Sequence, residues 1–510
     1  MKNVVFCCFV LILLNILLLS CKTSTDQSPN VLLISVDDLN NWIEPLGGHP
    51  QAMTPSLSKF AEEAMVFTHA YCASPSCNPS RTALMTGKNP WTTGLYNNPQ
   101  IWRHVLPDEL TLPEYFRQHG YWTGGAGKLF HNNMPDPRSW DEYFPSKIQH
   151  FPYYFLPDYD SIKQEMHFTK HDNEIREDDP KGNKFTMPHY RGMYVAFDFE
   201  PLPFSAEETG DYSSVKWVSE QLAKEHDKPF FLACGIYRPH LPWYVPQEFF
   251  DKFPIEDIQL PKVLENDLED LPKTGQRTAR TFWHNKILEN DLWKEAVQGY
   301  LASINYADEL VGKLLSTLEN SDYADNTIIV IFSDHGWQLG EKTDWSKFAL
   351  WENVINSVLF IKSPKGAPGL PSGSSSENCY SNVSLVDIFP TLTELCGLPS
   401  KEGTNGNSLI PVLKNPASNW AYPVITSLGA NHYSVRQNEW HYINYNGNEE
   451  ELYNQSTDPE EWNNIAGREE SEVIKKKLKG MIPSERHKLV KTGPIRWADV
   501  LSGKTKLYRD

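Results

Sequence analysis

The chain has 510 residues, 40% of them hydrophobic, enough to bury a large core and far beyond the size of a disulfide-stapled mini-protein. Acidic residues outnumber basic ones by 65 to 47, leaving a formal charge of −18. That balance excludes a protein that coats nucleic acid or an anionic surface, which needs an excess of Lys and Arg over at least one face. If the substrate is an anion, the cations that hold it are gathered in a pocket.

The chain begins MKNVVFCCFVLILLNILLLSC: one Lys, an apolar run of signal-peptide length, then Leu18, Leu19, Ser20 and Cys21. This reads as an export signal over residues 1–20, not a spanning helix. The Leu-Leu-Ser-Cys ending resembles a bacterial lipobox, which implies cleavage before Cys21, lipidation of its sulfur and anchoring of an exported lipoprotein to a cell membrane. The alternative is an ordinary signal peptide with a coincidental cysteine. Residues 21–30 follow as a polar tether. Once Cys7, Cys8 and Cys21 are set aside, Cys72, Cys77, Cys234, Cys379 and Cys396 remain, an odd number without repeated spacing. No disulfide framework follows from them, and the absence of a CxxC pair argues against structural zinc.

VLLISVDD (31–38) is a continuous apolar run ending in two acids, the pattern of a strand buried on both faces whose carboxyl end opens into a site. FFLACGIY (230–237) and TIIVIFSDHG (327–336) repeat the design, and VLFIKS (358–363) adds another strand. Residues 300–320 are a helix with Ile304, Ala307, Val311, Leu314, Leu315 and Leu318 on one face. The alternation indicates an α/β sandwich around a large, mainly parallel sheet flanked by helices, with ligands beyond the carboxyl ends of its strands. Residues 140–215 and 253–290 read as long excursions at a site rim. SLVDIFPTLTELCG (384–397) closes the large domain, 31–410, as a helix capped by Ser384 and stopped at Gly397. Beyond it, HYSVRQ and WHYINYN predict a smaller antiparallel subdomain over 411–510, ending in a helix and a tail.

Asp37 and Asp38 repel one another unless protons or a cation compensate, and a hard divalent metal suits oxygen ligands of this kind. Alone the pair reads as a strand-end turn. A second strand ending in Asp334 and His335 changes that, because two acidic strand ends of a parallel sheet can converge on one ion. CNPSR (77–81) places a thiol before Pro79 and Arg81, whose fork suits an oxyanion, and TALMTG then starts a helix. A nucleophile at a helix N-terminus beside a metal is placed to attack an anionic ester.

Cys77, Pro79, Ser80, Arg81, Leu84, Thr86 and Gly87 together resemble the C-x-P-S-R and L-x-T-G signature of the type I sulfatases. PNVLLISVDDL, LPEYFRQHGYWTGGAGKLFH, FFLACGIYRPHLPW and IIVIFSDHGWQLGEKTDWSKF extend the resemblance in order along most of the exported chain. The blocks are most like those of the iduronate 2-sulfatase branch: two residues separate Lys128 from His131, and the metal block ends in Asp-His, where many arylsulfatases have Asp-Asn.

The resemblance implies an alkaline-phosphatase-like sandwich and a Cys77 converted to formylglycine by a maturation enzyme before export. One Ca²⁺ would be held by Asp37, Asp38, the residue-77 oxygen, Asp334 and His335. A neutral His is an unusual ligand for that ion. The hydrated aldehyde would attack sulfur through one hydroxyl, with Arg81, Lys128 and Lys347 neutralising residue 77 and the sulfate oxygens. His240 would bind the sulfate or protonate the leaving sugar oxygen, and His131 would take the proton of the second hydroxyl, expelling sulfate. A thiol adduct has no second hydroxyl and would stall.

The implied substrate is a sulfated oligo- or polysaccharide: a glycosaminoglycan with 2-O-sulfated uronic acid, or an algal polymer such as ulvan or carrageenan. Taken singly, Lys128 and Lys347 read as solvated lysines, His240 as a hydrogen-bonded loop residue and His131 as a turn cap. His49 and His104 are read as structural; Trp102, Arg103, Trp337 and Trp345 read equally as substrate walls or as packing. Two rivals remain. A phosphatase or phosphodiesterase of the same superfamily would carry Ser or Thr at position 77, and a glycan-binding lipoprotein would have no use for two lysines and two histidines.

Overall fold

The computed structural model describes residues 28–131, 135–144, 199–202 and 205–492, with backbone pairing also given at 185–186 and 196–197. The signal, Cys21 and most of the tether lie outside the described residues, as do most of the 140–215 excursion and the tail from 493. Among the described residues no helix is long and apolar enough to cross a membrane.

The three apolar runs become strands buried at every position: β1 (Asn30–Val36), β5 (Phe230–Ile236) and β6 (Thr327–Ser333). Their alternate side chains feed two separate cores. Leu32, Ile34, Leu232, Cys234, Ile329 and Ile331 join one; Val31, Leu33, Phe231, Ala233, Ile328 and Val330 join the other. Apolar residues at consecutive positions are what a strand covered on both faces requires.

The remaining strands of this sheet are β2 (Met65–Phe67), β3 (Trp122–Gly127), β4 (Glu142–Phe144), β7 (Leu359–Lys362) and β8 (Asn378–Cys379). The eight strands lie in the order β8-β2-β7-β6-β1-β5-β3-β4. Pairing is parallel from β6 across to β4, whereas β7 runs antiparallel to both neighbours. The sheet is therefore mainly parallel, as expected.

Helices α2 (Gly210–Leu222) and α3 (Trp293–Glu319) cover one face through Val215, Val218, Val311 and Leu314. The predicted helix at 300–320 is thus extended toward its N-terminus by seven residues. On the other face lie α1 (Cys77–Thr86) and α4 (Ile388–Leu395). A 3₁₀ turn, Leu385–Asp387, leads into α4, with the Ser384 hydroxyl accepting from the Val386 amide and Gly397 in left-handed backbone at φ +65°. The 253–290 excursion carries two short helices, Lys273–Thr278 and Thr281–Glu289.

The C-terminal sheet is an antiparallel meander of β9 (Val424–Leu428), β10 (His432–Gln437), β11 (Trp440–Tyr445) and β12 (Glu449–Asn454), backed by α5 (Glu472–Lys479). The sequence signalled its two central strands. One face packs with α5 through Val435, Tyr442, Leu452 and Leu478, while Val424, Ile443, Tyr445 and Tyr453 join the second core of the large sheet.

The carboxyl ends of β3 and β5 close on each other through Gly127 and Gly235. Gly127 has φ +74°, and a Cβ there would sit 1.9 Å from the Gly235 carbonyl oxygen. Gly127→Ala is therefore expected to cost about 2–4 kcal/mol in urea unfolding, combining a left-handed strain with a backbone clash that no rotamer relieves.

Candidate active site

Each cluster of site residues follows the carboxyl end of a parallel strand: Asp37 and Asp38 after β1, Lys128 after β3, Tyr237 to His240 after β5, Asp334 and His335 after β6. Val36 lies beside Ser333 in register, so the acids of β1 and β6 emerge as neighbours. The Asp38 amide donates to Asp334 Oδ1 at 3.1 Å, a bond that Asp38 reaches in left-handed backbone at φ +59°. Tyr300 of α3 fixes the turn from below: its hydroxyl donates to the Asp38 carbonyl at 2.9 Å and accepts from the Asn40 amide at 3.0 Å.

Cys77 is the first residue of α1, five residues earlier than the TALMTG start read from sequence. The whole helix is buried, and its first turn is held by Asn78, whose side-chain amide donates to the carbonyls of Asn97, Asn98 and Gln100. One turn on, Arg81 reaches across three strand ends. Its guanidinium donates to Asp37 Oδ1 at 2.7 Å, Asp334 Oδ2 at 2.8 Å, Ser35 Oγ at 3.0 Å and the Lys128 carbonyl at 2.7 Å. Ser80 adds a bond from its hydroxyl to the Asp334 carbonyl at 2.6 Å.

Lys128 and Lys347 are buried, not solvated. Lys128 Nζ pairs with Asp37 Oδ2, and Lys347 Nζ lies 2.7 Å from Asp38 Oδ1 and 3.0 Å from Cys77 Sγ. Burial alone would raise the Asp37 carboxyl, yet the Lys128 ammonium and Arg81 guanidinium hold it well below the usual carboxylate range. The Cys77 thiol behaves in the same way: burial pushes it up, but Lys347 and Lys128, with hydrogen bonds from His131 and His240, bring it well below an ordinary thiol. Cations thus converge on position 77, which favours an anion there.

His335 Nδ1 is 3.0 Å from the Gly336 carbonyl, so that nitrogen is the donor and Nε2 faces inward. Nε2 stands 3.5 Å from Cys77 Sγ, 3.4 Å from Asp38 Oδ1 and 3.6 Å from Asp334 Oδ2. Burial opposes its charge, but the Asp334 carboxylate dominates and pushes it up to about 9. His240 is oriented similarly: Nδ1 meets the Leu241 carbonyl at 2.6 Å, and Nε2 is 3.7 Å from Asp38 Oδ2.

All the residues singled out from sequence for this site are brought together. Those left open resolve as packing: Trp102 stacks on Phe130 with centroids 4.8 Å apart, Arg103 pairs with Asp136, and the Trp345 indole donates to His284 at 3.1 Å. Trp337 is buried with its ring 5.5 Å from Lys347 Nζ, lining the lysine, and His49 packs on Trp42. Ser35, Asn78, Tyr237, Asp211 and Tyr300 escaped the sequence reading. Only Ser35 carried a signal, as the one hydroxyl inside an otherwise apolar strand.

The donor set fits a hard divalent ion. Ligand atoms of Asp38, Cys77, Asp334 and His335 lie within 4.8 Å of one another, as do those of Asp37, Asp38 and His240. Asp38 Oδ2 is buried without a hydrogen-bond partner, a cost that a coordinated cation removes. Carboxylate oxygens dominate, and the thiol is the one soft donor; an oxygen at position 77 would complete a hard set.

An acid-lined cation site and lysines aimed at one buried position suit hydrolysis of an anionic ester, on an alkaline-phosphatase-like α/β sandwich. Within that class the sequence profile of the sulfatase family matches residues 29–398, and one for the C-terminal region of N-sulphoglucosamine sulphohydrolase matches 340–488. The chain belongs to the sulfatase family and is a sulfuric ester hydrolase. A sulfatase of Formosa agariphila is 36% identical over 494 residues, covering 92% of this chain and 91% of its own length. Human iduronate 2-sulfatase is 30% identical over 414 residues, 74% of this chain and 70% of that one. A solved structure described as a complex with its substrate D-glucosamine-2-N,6-O-disulfate shares the fold, with a TM-score of 0.66 at 20% identity, covering 89% of this chain and 97% of the other.

Tyr300→Phe strands a buried amide and a buried carbonyl, so unfolding in urea should show a loss of about 1–3 kcal/mol. Sulfate release should fall with it, because the turn carrying Asp38 loses its support.

Proposed function

We propose that the chain is an exported, lipid-anchored sulfatase that removes sulfate esters from sugar units of a polysaccharide, using formylglycine formed from Cys77 and one Ca²⁺. The observation that carries this reading is the surroundings of position 77: Lys347 Nζ at 3.0 Å, His335 Nε2 at 3.5 Å and hydrogen bonds from His131 and His240, on the first residue of a C-x-P-S-R helix. The aldehyde supplies a hydrate with two hydroxyls, one to attack sulfur and one to release it; the ion lowers the proton affinity of the attacking oxygen.

Asp37, Asp38, Asp334 and His335 hold the ion with residue 77. Arg81 fixes Asp37 and Asp334 at their spacing. Lys128 and Lys347 offset charge on residue 77 and the sulfate oxygens, where it grows in the transition state. His240 meets the leaving sugar oxygen, and His131 takes the proton of the second hydroxyl. Cys77 itself speaks against a phosphatase, and the buried lysines and histidines at one point speak against a protein that only binds.

The substrate class is a sulfated glycan, with 2-O-sulfated uronic acid the first candidate and ulvan and carrageenan oligosaccharides the others. The likeness to human iduronate 2-sulfatase and to a fold solved with a sulfated glucosamine supports sugar sulfates. The acidic surface fits a grip on one sulfate and not the coating of a polyanion, and no nucleic-acid role follows from it. A maturation enzyme acts on Cys77 before export, and Cys21 carries the lipid that tethers the protein to the cell membrane.

Released sulfate measured across sulfated oligosaccharides of defined linkage should show turnover confined to one sulfate position, with no phosphate released from the matching phosphate esters. Peptide mass spectrometry of protein made with a maturation enzyme should find Cys77 about 18 Da lighter, the loss for thiol to aldehyde. Unmodified Cys77 in fully active protein would overturn the mechanism. Chelation with EGTA should abolish turnover and Ca²⁺ restore it. In cells, Cys21→Ser should move the protein from the membrane to the soluble fraction.

A further inference from the structure

We propose that Tyr237 is a positioning residue for this reaction: its ring is the shared wall against which the Lys128 ammonium and the His240 imidazole are held, setting His240 Nε2 toward the leaving oxygen. The proposal rests on the reading that His240 meets that oxygen.

Tyr237 is 3% exposed. Lys128 Nζ lies 4.7 Å from its ring centroid, and the His240 ring lies 4.7 Å away at a tilt of 46°. A desolvated ammonium over an aromatic face is attracted by the ring's electrons, which together with the Asp37 ion pair limits how far Lys128 can swing on its flexible stem. The imidazole packs against the same ring, so its rotation is restricted while Nδ1 stays on the Leu241 carbonyl and Nε2 remains 3.7 Å from Asp38 Oδ2.

The ring is itself anchored through its backbone. Asp211, at the start of α2, accepts from the Tyr237 amide at 2.8 Å and the Arg238 amide at 3.1 Å. Arg238 folds back to donate to the carbonyls of His240 at 2.9 Å and Tyr244 at 3.0 Å, and the His240 amide returns to the Tyr237 carbonyl at 3.0 Å. Residues 237–240 thus form a turn clamped at both ends, and the Tyr237 side chain is the part of it between the lysine and the histidine.

The consequence is a selective one. When the sulfur–oxygen bond to the sugar breaks, the electron pair stays on the sugar oxygen and a proton from His240 Nε2 neutralises it, leaving the imidazole neutral. A nitrophenolate leaves without needing that proton. A misplaced His240 should therefore harm sugar sulfates far more than aryl sulfates, whereas general loosening of the site would harm both alike.

The test uses matured, Ca²⁺-loaded enzyme and compares kcat/KM for a sulfated oligosaccharide with that for 4-nitrophenyl sulfate. Tyr237→Phe keeps the ring and should stay within about 3-fold of wild type on both. Tyr237→Leu should fall roughly 10- to 100-fold on the sugar sulfate, mainly in kcat, with a loss about 10-fold smaller on the aryl sulfate, where only the loosening of Lys128 is felt. Equal losses on both substrates, or full activity on the sugar sulfate, would overturn the proposal. Tyr237→Met, whose unbranched side chain adapts to the space left by the ring, replaces the Leu variant should that one not fold; failure of both to fold would assign the ring to packing and end the proposal. His240→Ala in the same assay checks the underlying reading separately: a loss equal on both substrates would remove His240 from the leaving group and Tyr237's role with it.

Discussion

The buried guanidinium of Arg81 is the interaction on which the rest of the site depends. It joins a helix to the ends of three strands, contacting Asp37 and Ser35 from β1, the Lys128 carbonyl from β3 and Asp334 from β6. A lysine could satisfy one of these acceptors at a time; the planar fork satisfies them together and holds the distance between two carboxylates. Removing it would leave Asp334 buried without its main partner and Asp37 with Lys128 alone, a loss of several kcal/mol by the usual cost of breaking a buried pair. The fork is therefore structural first, and the cation site and the surroundings of residue 77 inherit its geometry.

Charge is arranged on the same logic. Asp37, Asp38 and Asp334 are met by Arg81, Lys128 and Lys347, three carboxylates against three permanent cations. A dication held by these carboxylates would make the pocket net positive. An acidic protein can in this way capture a sulfate group while its outer surface repels the polyanion around it, so that affinity is confined to one point of contact.

Much of this was legible in the sequence because it obeys short-range rules. Unbroken apolar runs ending in acids marked β1 and β6, and they placed Asp37, Asp38, Asp334 and His335 at the correct strand ends. Signature spacing marked Cys77 and Arg81. What was not legible depends on contacts between residues hundreds of positions apart: the antiparallel direction of β7, the hydroxyl of Tyr300 beneath Asp38, the clamp of Asp211 on the His240 turn. Tyr300 lies on a helix face whose pattern reads as ordinary core, and Asp211 falls in the stretch 140–215 that reads as a rim excursion, although the helix Gly210–Leu222 begins inside it. Taken singly, Lys128 and Lys347 read as surface residues for the same reason, and only the family signature placed them in the site; a lysine's burial shows only when its acid partner comes into view.

The burial of Cys77 also sets an order in time. In the folded chain its sulfur is enclosed, and Lys347, which closes over it, is made 270 residues later. At ordinary synthesis rates that interval is roughly 15 to 50 s. An enzyme that oxidised Cys77 would have that interval, before Lys347 is in place, to reach the thiol. The length of chain between nucleophile and lysine then acts as a clock, and a chain that folded before it ran out would seal in an unconverted cysteine.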